Sequence, residues 1–302
     1  MATHWKKREL ECVCKAQSSK SPPSTAKKAR SSDPNATNEP SKSAFALEGV
    51  QERARAVTAS LLNNDVSEVD TVFRHAKAHF LTSDRASWVF HVPRWYRQVF
   101  GKRSQVPDSQ PPASGDGSRQ VGYSQWLNRV WELHPKHHDS IKMYGRAIPT
   151  PRFQQAYAVS YRFSGNTFEA QPVPEILQHS VTAMQQMVVN PDTNASFLRG
   201  VLVNWYADGE HYIGPHSDSE GALFKCSPVF SLSLGATRRF IFTAKQKTKN
   251  SSTAAVERLE LELADGDLVV MGGTTQQTHK HALPKMKKCR DRRVSVTLRC
   301  FK

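Results

Sequence analysis

The sequence predicts a mainly β protein with a few flanking helices, an α+β class built on a sandwich or a closed jelly roll. Two observations carry this expectation. From residue 123 onward, apolar side chains recur mostly at every second position, over short segments at 157–163, 198–206, 229–234, 239–243, 258–263, 267–271 and 294–301. That is the period at which a strand turns one face to a core. Only two stretches of the same region, 124–133 and 174–187, carry helical spacing, the second with Pro174 at its start, where a missing N–H costs little. Many short strands with few helices pack as two sheets or one closed sheet.

The chain before residue 123 is of a different kind. Residues 1–44 are dominated by Ser, Lys, Pro, Ala and Asn, too poor in apolar surface to offset the entropy of ordering, and we expect them to be disordered. A helical pattern runs from 45 to about 62. Residues 88–103 interleave Trp88, Phe90, Trp95, Tyr96 and Phe100 with Arg94, Arg97, Lys102 and Arg103. Such a stretch can stack on nucleic-acid bases, but packing in a core is the favoured reading. The Pro-, Ser-, Gly- and Asp-rich run 106–120 reads as a linker or insertion. We divide the chain into a disordered basic tail (1–60), a poorly defined extension and linker (61–120) and one folded domain (121–302).

Charge narrows the partners. The 302 residues carry 42 Lys and Arg against 27 Asp and Glu, a net charge of +15. Residues 1–60 hold 11 basic and 6 acidic side chains, so the remaining 242 keep an excess of +10 and the folded part is itself basic. A field of that sign favours polyanions, above all nucleic acid. Mean hydropathy is −0.57, and no apolar run approaches the roughly 18 residues of a membrane span, so neither a membrane partner nor a secretory leader is expected. Five scattered cysteines form no disulfide framework, which suits a reducing compartment, cytosol or nucleus. The cluster Lys27-Lys28-Ala29-Arg30 is a candidate nuclear-import signal. A monomer is expected.

Chemistry concentrates in the domain. His216 and Asp218 form an H-x-D pair, and residues two apart on extended backbone point to one side, so both can bind one ion. His281, just before Ala282-Leu283-Pro284, is the best third ligand. Two histidines and a carboxylate make the facial triad of non-haem Fe(II) oxygenases, although the same donors suit Zn²⁺. Arg293 and Arg299 are six apart on an expected strand, hence on one face, where guanidinium forks suit a doubly negative 2-oxoacid. Asn204 and Tyr206 add an amide and a phenol to one wall.

In these motifs the sequence resembles the AlkB family of Fe(II)/2-oxoglutarate-dependent dioxygenases. The likeness runs through Asn204-x-Tyr206-x-x-Gly209, His216-x-Asp218, Ser233-Leu234-Gly235-Ala236-Thr237-Arg238 and Gly266-Asp267-Leu268-Val269-Val270-Met271. It continues through His281-Ala282-Leu283-Pro284 and the strand from Arg293 to Arg299. It covers roughly 123–302 and implies a double-stranded β-helix (jelly roll) core. It also implies iron(II) held by His216, Asp218 and His281, with 2-oxoglutarate held by Asn204, Tyr206, Arg293 and Arg299, and O₂ as the oxidant. Two positions depart from the family's common pattern: Ser295 stands where many members carry Asn, offering the cosubstrate a hydroxyl in its place, and Ser219 precedes Glu220 where an acidic pair often follows H-x-D.

The resemblance is to the branch that repairs duplex DNA. Met143-Tyr144 takes the place of an apolar wedge that fills the stack when a nucleotide is extruded, with Arg152 as a contact to the opposing strand. By the same likeness Phe163 stacks on the flipped base opposite His216, Tyr161 lines the pocket and Glu220 meets exocyclic groups of the base. Lys287 and Lys288, in a run where five of eight residues are basic (285–292), match a phosphate-binding loop. The implied reaction is oxidative demethylation of N-alkylated bases such as 1-methyladenine and 3-methylcytosine, with release of formaldehyde. An RNA demethylase or protein hydroxylase with the same iron centre is one alternative. A nucleic-acid-binding protein without catalysis is the other.

Overall fold

The computed structural model describes residues 45–100, 123–143, 146–163, 166–190, 195–218, 221–245 and 254–302. The expected disorder of 1–44 and the expected linker at 106–120 lie outside the described residues.

The chain opens with helices α1 (Leu47–Leu61) and α2 (Val66–Phe73), strands β1 (Lys77–Phe80) and β2 (Ser87–Val92) and the short helix α3 (Trp95–Phe100). Helix α4 (Tyr123–Glu132) is followed by β3 (Ser140–Met143), β4 (Arg146–Pro149), β5 (Phe153–Tyr157), β6 (Tyr161–Phe163), β7 (Asn166–Phe168) and helix α5 (Glu175–Gln185). Then come β8 (Gly200–Tyr206), β9 (Ile213–His216), β10 (Val229–Gly235), β11 (Arg238–Ala244), β12 (Arg258–Leu263) and β13 (Leu268–Gly273). The one-turn helix α6 (Thr275–Thr278), β14 (His279–Leu283) and β15 (Arg293–Arg299) complete the order.

Two sheets organise these strands. The larger runs β1-β2-β13-β10-β15-β8-β5 and the smaller β12-β11-β14-β9, while β3-β4 and β6-β7 are separate two-stranded hairpins. From β8 on, the path crosses between sheets: β8, β10, β13 and β15 lie in the larger one, and β9, β11, β12 and β14 in the smaller. Eight antiparallel strands shared in this way make the double-stranded β-helix that the resemblance implies. Crossing from β10 to β11 needs a tight turn, which Gly235 supplies at φ +83°. A Cβ there would stand 2.6 Å from the Arg292 carbonyl oxygen, so no other residue fits without displacement.

Alternation along the strands separates two interiors. Val294, Val296 and Leu298 of β15 join Val201, Val203 and Trp205 of β8 and Leu177 and Val181 of α5 in the larger apolar cluster, under the helices. Trp205, fully buried, also donates its indole N–H to the Val130 carbonyl of α4 at 2.9 Å, so one side chain both fills and orients the layer. Truncating such a residue to alanine costs about 3–5 kcal/mol. A second cluster, with Phe240, Phe242, Leu261, Leu263, Met271 and Leu283, lies between the two sheets. The other face of β15 is polar, with Arg293, Ser295, Thr297 and Arg299 lining a cleft between the sheets.

Three features differ from expectation. The segment 157–163 is not one strand: Ala158 takes a left-handed φ of 65°, and its N–H donates to the Gln171 carbonyl at 2.9 Å. The chain therefore turns between β5 and β6. The tail expected to be disordered up to residue 60 contains most of α1, buried at Leu47, Val50, Ala54 and Val57, and the stretch expected as a poorly defined extension supplies α2, β1, β2 and α3. β2 pairs with β13 along six registered positions, so the large sheet reaches well before residue 121. Trp88, Phe90, Trp95, Tyr96 and Phe100 are all buried there, so these aromatics pack. Finally, the pattern did not reveal β9 and β14, although they carry two of the expected metal ligands.

Candidate metal and cosubstrate site

β9 and β14 are antiparallel neighbours whose register pairs His216 with His281. Their rings lie 4.2 Å apart, and with Asp218 they offer three ligand atoms within 4.8 Å of one another. His216 Nδ1 is 2.9 Å from the Gly214 carbonyl oxygen. A carbonyl only accepts, so Nδ1 carries the proton and Nε2 presents its lone pair. Asp218 is anchored on both sides. Its backbone N–H donates to Gln276 Oε1 at 3.0 Å, while Arg299 donates from Nε and Nη2 to its two carboxylate oxygens, each at 3.0 Å. Ser217 is tied to the His279 carbonyl at 2.9 Å. His279 is two residues before His281 and buried, but it is committed elsewhere. Its Nε2 donates to the Val256 carbonyl at 2.9 Å and its Nδ1 accepts from Thr278 Oγ1 at 2.8 Å.

Protonation favours ligation. Burial pushes the His281 imidazole down to about 3, with His216 adding to the effect, and burial also lowers His216. Burial alone would raise the Asp218 carboxyl, but the Arg299 guanidinium, paired with both of its oxygens, outweighs it and holds the group well below the usual carboxylate range. Two neutral imidazoles and an ionised carboxylate are the protonation states a divalent ion requires.

The cleft beside the triad is lined by Asn204, Tyr206, Ser295, Arg293 and Arg299, with Leu202, Ile213, Phe240, Met271 and Leu283 as apolar walls. Strand register accounts for this meeting. Asn204 pairs with Ser295 and Tyr206 with Arg293 across β8 and β15. Arg293 is 1% exposed, with its guanidinium 5.3 Å from the Tyr206 ring centroid. Its Nη2 donates to Ser233 Oγ at 2.7 Å, whereas Nε has no hydrogen-bond partner among the described residues. Burial brings its pKa down to about 10, so it is still cationic at neutral pH. A buried cation with no carboxylate within ion-pair distance among the described residues is costly, and an anionic ligand in the cleft offsets that cost. Ser295 Oγ is 3.1 Å from Ser231 Oγ.

The expected substrate contacts are not gathered in the same way. Met143 ends β3, and Tyr144 lies outside the described residues, as does Glu220. Tyr161 and Phe163 stand two apart on β6, with side chains outside the described residues. Lys287 and Lys288 are exposed on the loop between β14 and β15, together with Lys285, Arg290 and Arg292. Arg152 is a correction. It is 8% exposed and lines the cleft, with Nε donating to Asn204 Oδ1 at 2.8 Å and Nη2 to Gln154 Oε1 at 2.9 Å. Held inside by two amides, its guanidinium does not reach out to an opposing strand.

Two residues without a role in the sequence reading shape the site. Gln276 anchors Asp218, and nothing in its Thr- and Gln-rich surroundings marks it. Arg238 belongs to a quoted motif but is more than a motif letter. Fully buried, it donates to the carbonyls of Asp208 (2.9 Å), His211 (2.8 Å) and Pro284 (2.9 Å), tying the β8–β9 loop to the end of β14. Backbone bonds from Gly209 N to the Cys289 carbonyl (2.9 Å) and from Met286 N to the Gly209 carbonyl (2.8 Å) knit the same loops.

A jelly roll with a His-Asp-His cluster and a cationic cleft between its sheets defines a facial-triad metal protein that takes an anionic cosubstrate. A sequence model described as the 2OG-Fe(II) oxygenase superfamily matches residues 119–299, and the chain belongs to that superfamily. The donor set fits iron(II), and Arg293 with its neighbours fits 2-oxoglutarate. Among relatives, the DNA oxidative demethylase ALKBH2 of Bos taurus is 33% identical over 162 residues, which are 53% of this chain and 56% of that protein. The Mus musculus protein of that name is 34% identical over 53% of this chain and 65% of its own length. The alpha-ketoglutarate-dependent dioxygenase alkB homolog 3 of Rattus norvegicus is 35% identical over 50% of each chain. The chain thus spans between half and two thirds of these relatives. Among the described residues, no helix is long and apolar enough to cross a membrane.

Proposed function

We propose that this protein is an Fe(II)- and 2-oxoglutarate-dependent dioxygenase that removes N-methyl groups of the 1-methyladenine and 3-methylcytosine type from DNA, releasing formaldehyde. The observation that carries the reading is the meeting of His216, Asp218 and His281 at one end of a cleft whose wall carries Arg293, Asn204 and Tyr206. When bound, iron(II) with 2-oxoglutarate and oxygen supplies the power to hydroxylate a C–H bond, the oxoacid leaving as succinate and CO₂.

The residues of the chain bind and orient. His216, Asp218 and His281 hold the metal, and Gly214 keeps His216 in the ligating tautomer. Arg299 keeps Asp218 ionised and aligned. Arg293, Asn204 and Tyr206 receive the carboxylates of the oxoacid; Arg299, expected to do the same, lines the cleft but commits Nε and Nη2 to Asp218. The apolar walls from Leu202, Ile213, Phe240 and Met271 exclude water from the reacting C–H bond. No side-chain nucleophile is needed, because an N-methyl group hydroxylated at its carbon is a hemiaminal, which loses formaldehyde and returns the proton to nitrogen. Similarity to relatives named DNA oxidative demethylases supports DNA as the substrate, as do the exposed Lys287 and Lys288 beside the site. The wedge role of Met143 and Tyr144, the base-stacking roles of Tyr161 and Phe163 and the contact from Glu220 remain part of this proposal. A DNA substrate and the Lys27-Lys28-Ala29-Arg30 cluster support action in the nucleus.

Purified protein given Fe(II), 2-oxoglutarate and methylated oligonucleotides should release formaldehyde, and Asp218→Ala should abolish it. Release from methylated RNA but not DNA would move the substrate to RNA. No release from any of them would sink the reading.

A further inference from the structure

Arg152 stands immediately before β5, with its guanidinium between two amide side chains. Nε donates to Asn204 Oδ1 at 2.8 Å and Nη2 to Gln154 Oε1 at 2.9 Å, and Asn204 faces Gln154 across the β5–β8 pairing. A guanidinium has only donors, so both amides must turn their oxygens toward it. For Asn204 this decides the direction of the whole group: oxygen to Arg152, amide nitrogen away from it. Asn204 lines the cleft and makes no other side-chain hydrogen bond among the described residues, which leaves its two N–H donors for a ligand there. A 2-oxoacid dianion presents only acceptors. Asn204 turned the other way would set an oxygen against that anion.

We propose that Arg152 is a positioning residue for the cosubstrate: it locks the Asn204 amide in the one orientation that donates to a 2-oxoacid. This rests on the 2-oxoacid reading of the cleft. Gln154 supports the lock by holding the second arm of the guanidinium. Gln154 is 2% exposed and Arg152 8%, so the Arg152–Asn204 pair is fixed by buried groups of the sheet. Arg152 thereby differs in kind from Lys287 and Lys288, whose exposed ammonium groups are placed to meet phosphate.

The experiment uses full-length protein loaded with Mn(II) under anaerobic conditions, so that binding is read without turnover. Affinity for 2-oxoglutarate is measured by calorimetry for wild type, Arg152→Met, Arg152→Lys and Gln154→Leu. The two Arg152 variants are also made on an Asn204→Ala background. Duplex affinity is followed in parallel over a range of salt. Loss of a charge-assisted hydrogen bond should weaken 2-oxoglutarate binding roughly tenfold or more in Arg152→Met. Arg152→Lys, which keeps the charge and loses the fork, should fall between, and Gln154→Leu should cost less than Arg152→Met. With Asn204 already alanine, Arg152→Met should add almost nothing, a coupling that a general loss of packing would not show. The slope of duplex affinity against salt should be unchanged. Three results would overturn the proposal: unaltered cosubstrate affinity, equal losses with and without Asn204, or a salt slope reduced by about 0.9, the signature of one lost phosphate contact. If wild type itself binds no 2-oxoglutarate, the functional reading fails and this inference fails with it.

Discussion

Replacing Arg238 with methionine keeps much of the side-chain volume and removes the charge, which isolates what the buried cation does. In the folded protein three backbone carbonyls, of Asp208, His211 and Pro284, accept from it at 2.8–2.9 Å. Among the described residues it has no carboxylate partner within ion-pair distance, and the Tyr206 ring centroid is 5.9 Å away. Hydrogen bonds to a charged group contribute about 1.5–3 kcal/mol each, so three could sum to roughly 4–9 kcal/mol. Against this stands the desolvation of a buried ion, several kcal/mol, which methionine no longer incurs. The difference favours arginine, and about 2–4 kcal/mol of global stability should be lost. The loss should also be local. Amides of residues 208–212 and 285–289 should exchange faster than those of β8 and β15, because Arg238 joins the loops and not the strands. Urea unfolding followed by tryptophan fluorescence gives the first quantity and hydrogen exchange the second. A variant within about 0.5 kcal/mol of wild type, with unchanged loop exchange, would refute the argument and make Arg238 a tolerated relic of the motif.

Other expectations follow from single contacts. In Gly209→Ala the new methyl would lie 1.8 Å from the Met286 carbonyl oxygen. The two knitted loops must then separate, and we expect a loss of about 1–3 kcal/mol, measurable in the same urea assay. Metal-free protein should lose stability on acidification. His281 stays neutral in the fold down to about 3, whereas the unfolded chain takes up a proton near pH 6.5. The contribution is therefore complete above pH 6.5 and disappears as the pH falls toward 3. Melting temperatures of chelator-treated protein between pH 7.5 and 4.5 test this, and His281→Asn should flatten the dependence; an identical slope in that variant would count against it. Lys287→Ala with Lys288→Ala should weaken duplex binding without sequence preference and reduce the salt slope by up to about 1.8, or 0.9 per phosphate contact. An unchanged slope would remove the loop from the DNA interface.

Much of this was legible because strands repeat at a period of two. The reading that places Arg293 and Arg299 on one face needs only that period, and the cleft lined by Arg293, Ser295, Thr297 and Arg299 follows it. β9 was hard to see because Ile213-Gly214-Pro215-His216 offers little apolar alternation, and β14 because its strand face holds two histidines. β2 is hidden for another reason. Ser87–Val92 is buried at five of its six positions, so it shows a continuous run and not alternation. Arg152 shows the limit of motif likeness. Its place in the sequence is consistent with a surface contact, but its direction depends on Asn204, 52 residues away, which no local pattern encodes. Gln276 is similar: its partner is a backbone N–H, and backbone groups leave no trace in side-chain spacing.

The position of β15 bears on how the molecule is made as well as on what it binds. In the sheet this strand lies between β10 and β8, though in sequence it follows every other strand. Until residues 293–299 arrive, the large sheet is two separate ribbons, β1-β2-β13-β10 and β8-β5, each with an open edge able to recruit a stray strand. Pairings of such long sequence separation also close slowly. The strand that closes those two inner edges also carries Arg293 and Arg299, so the event that joins the two ribbons is the one that brings both arginines to the cleft.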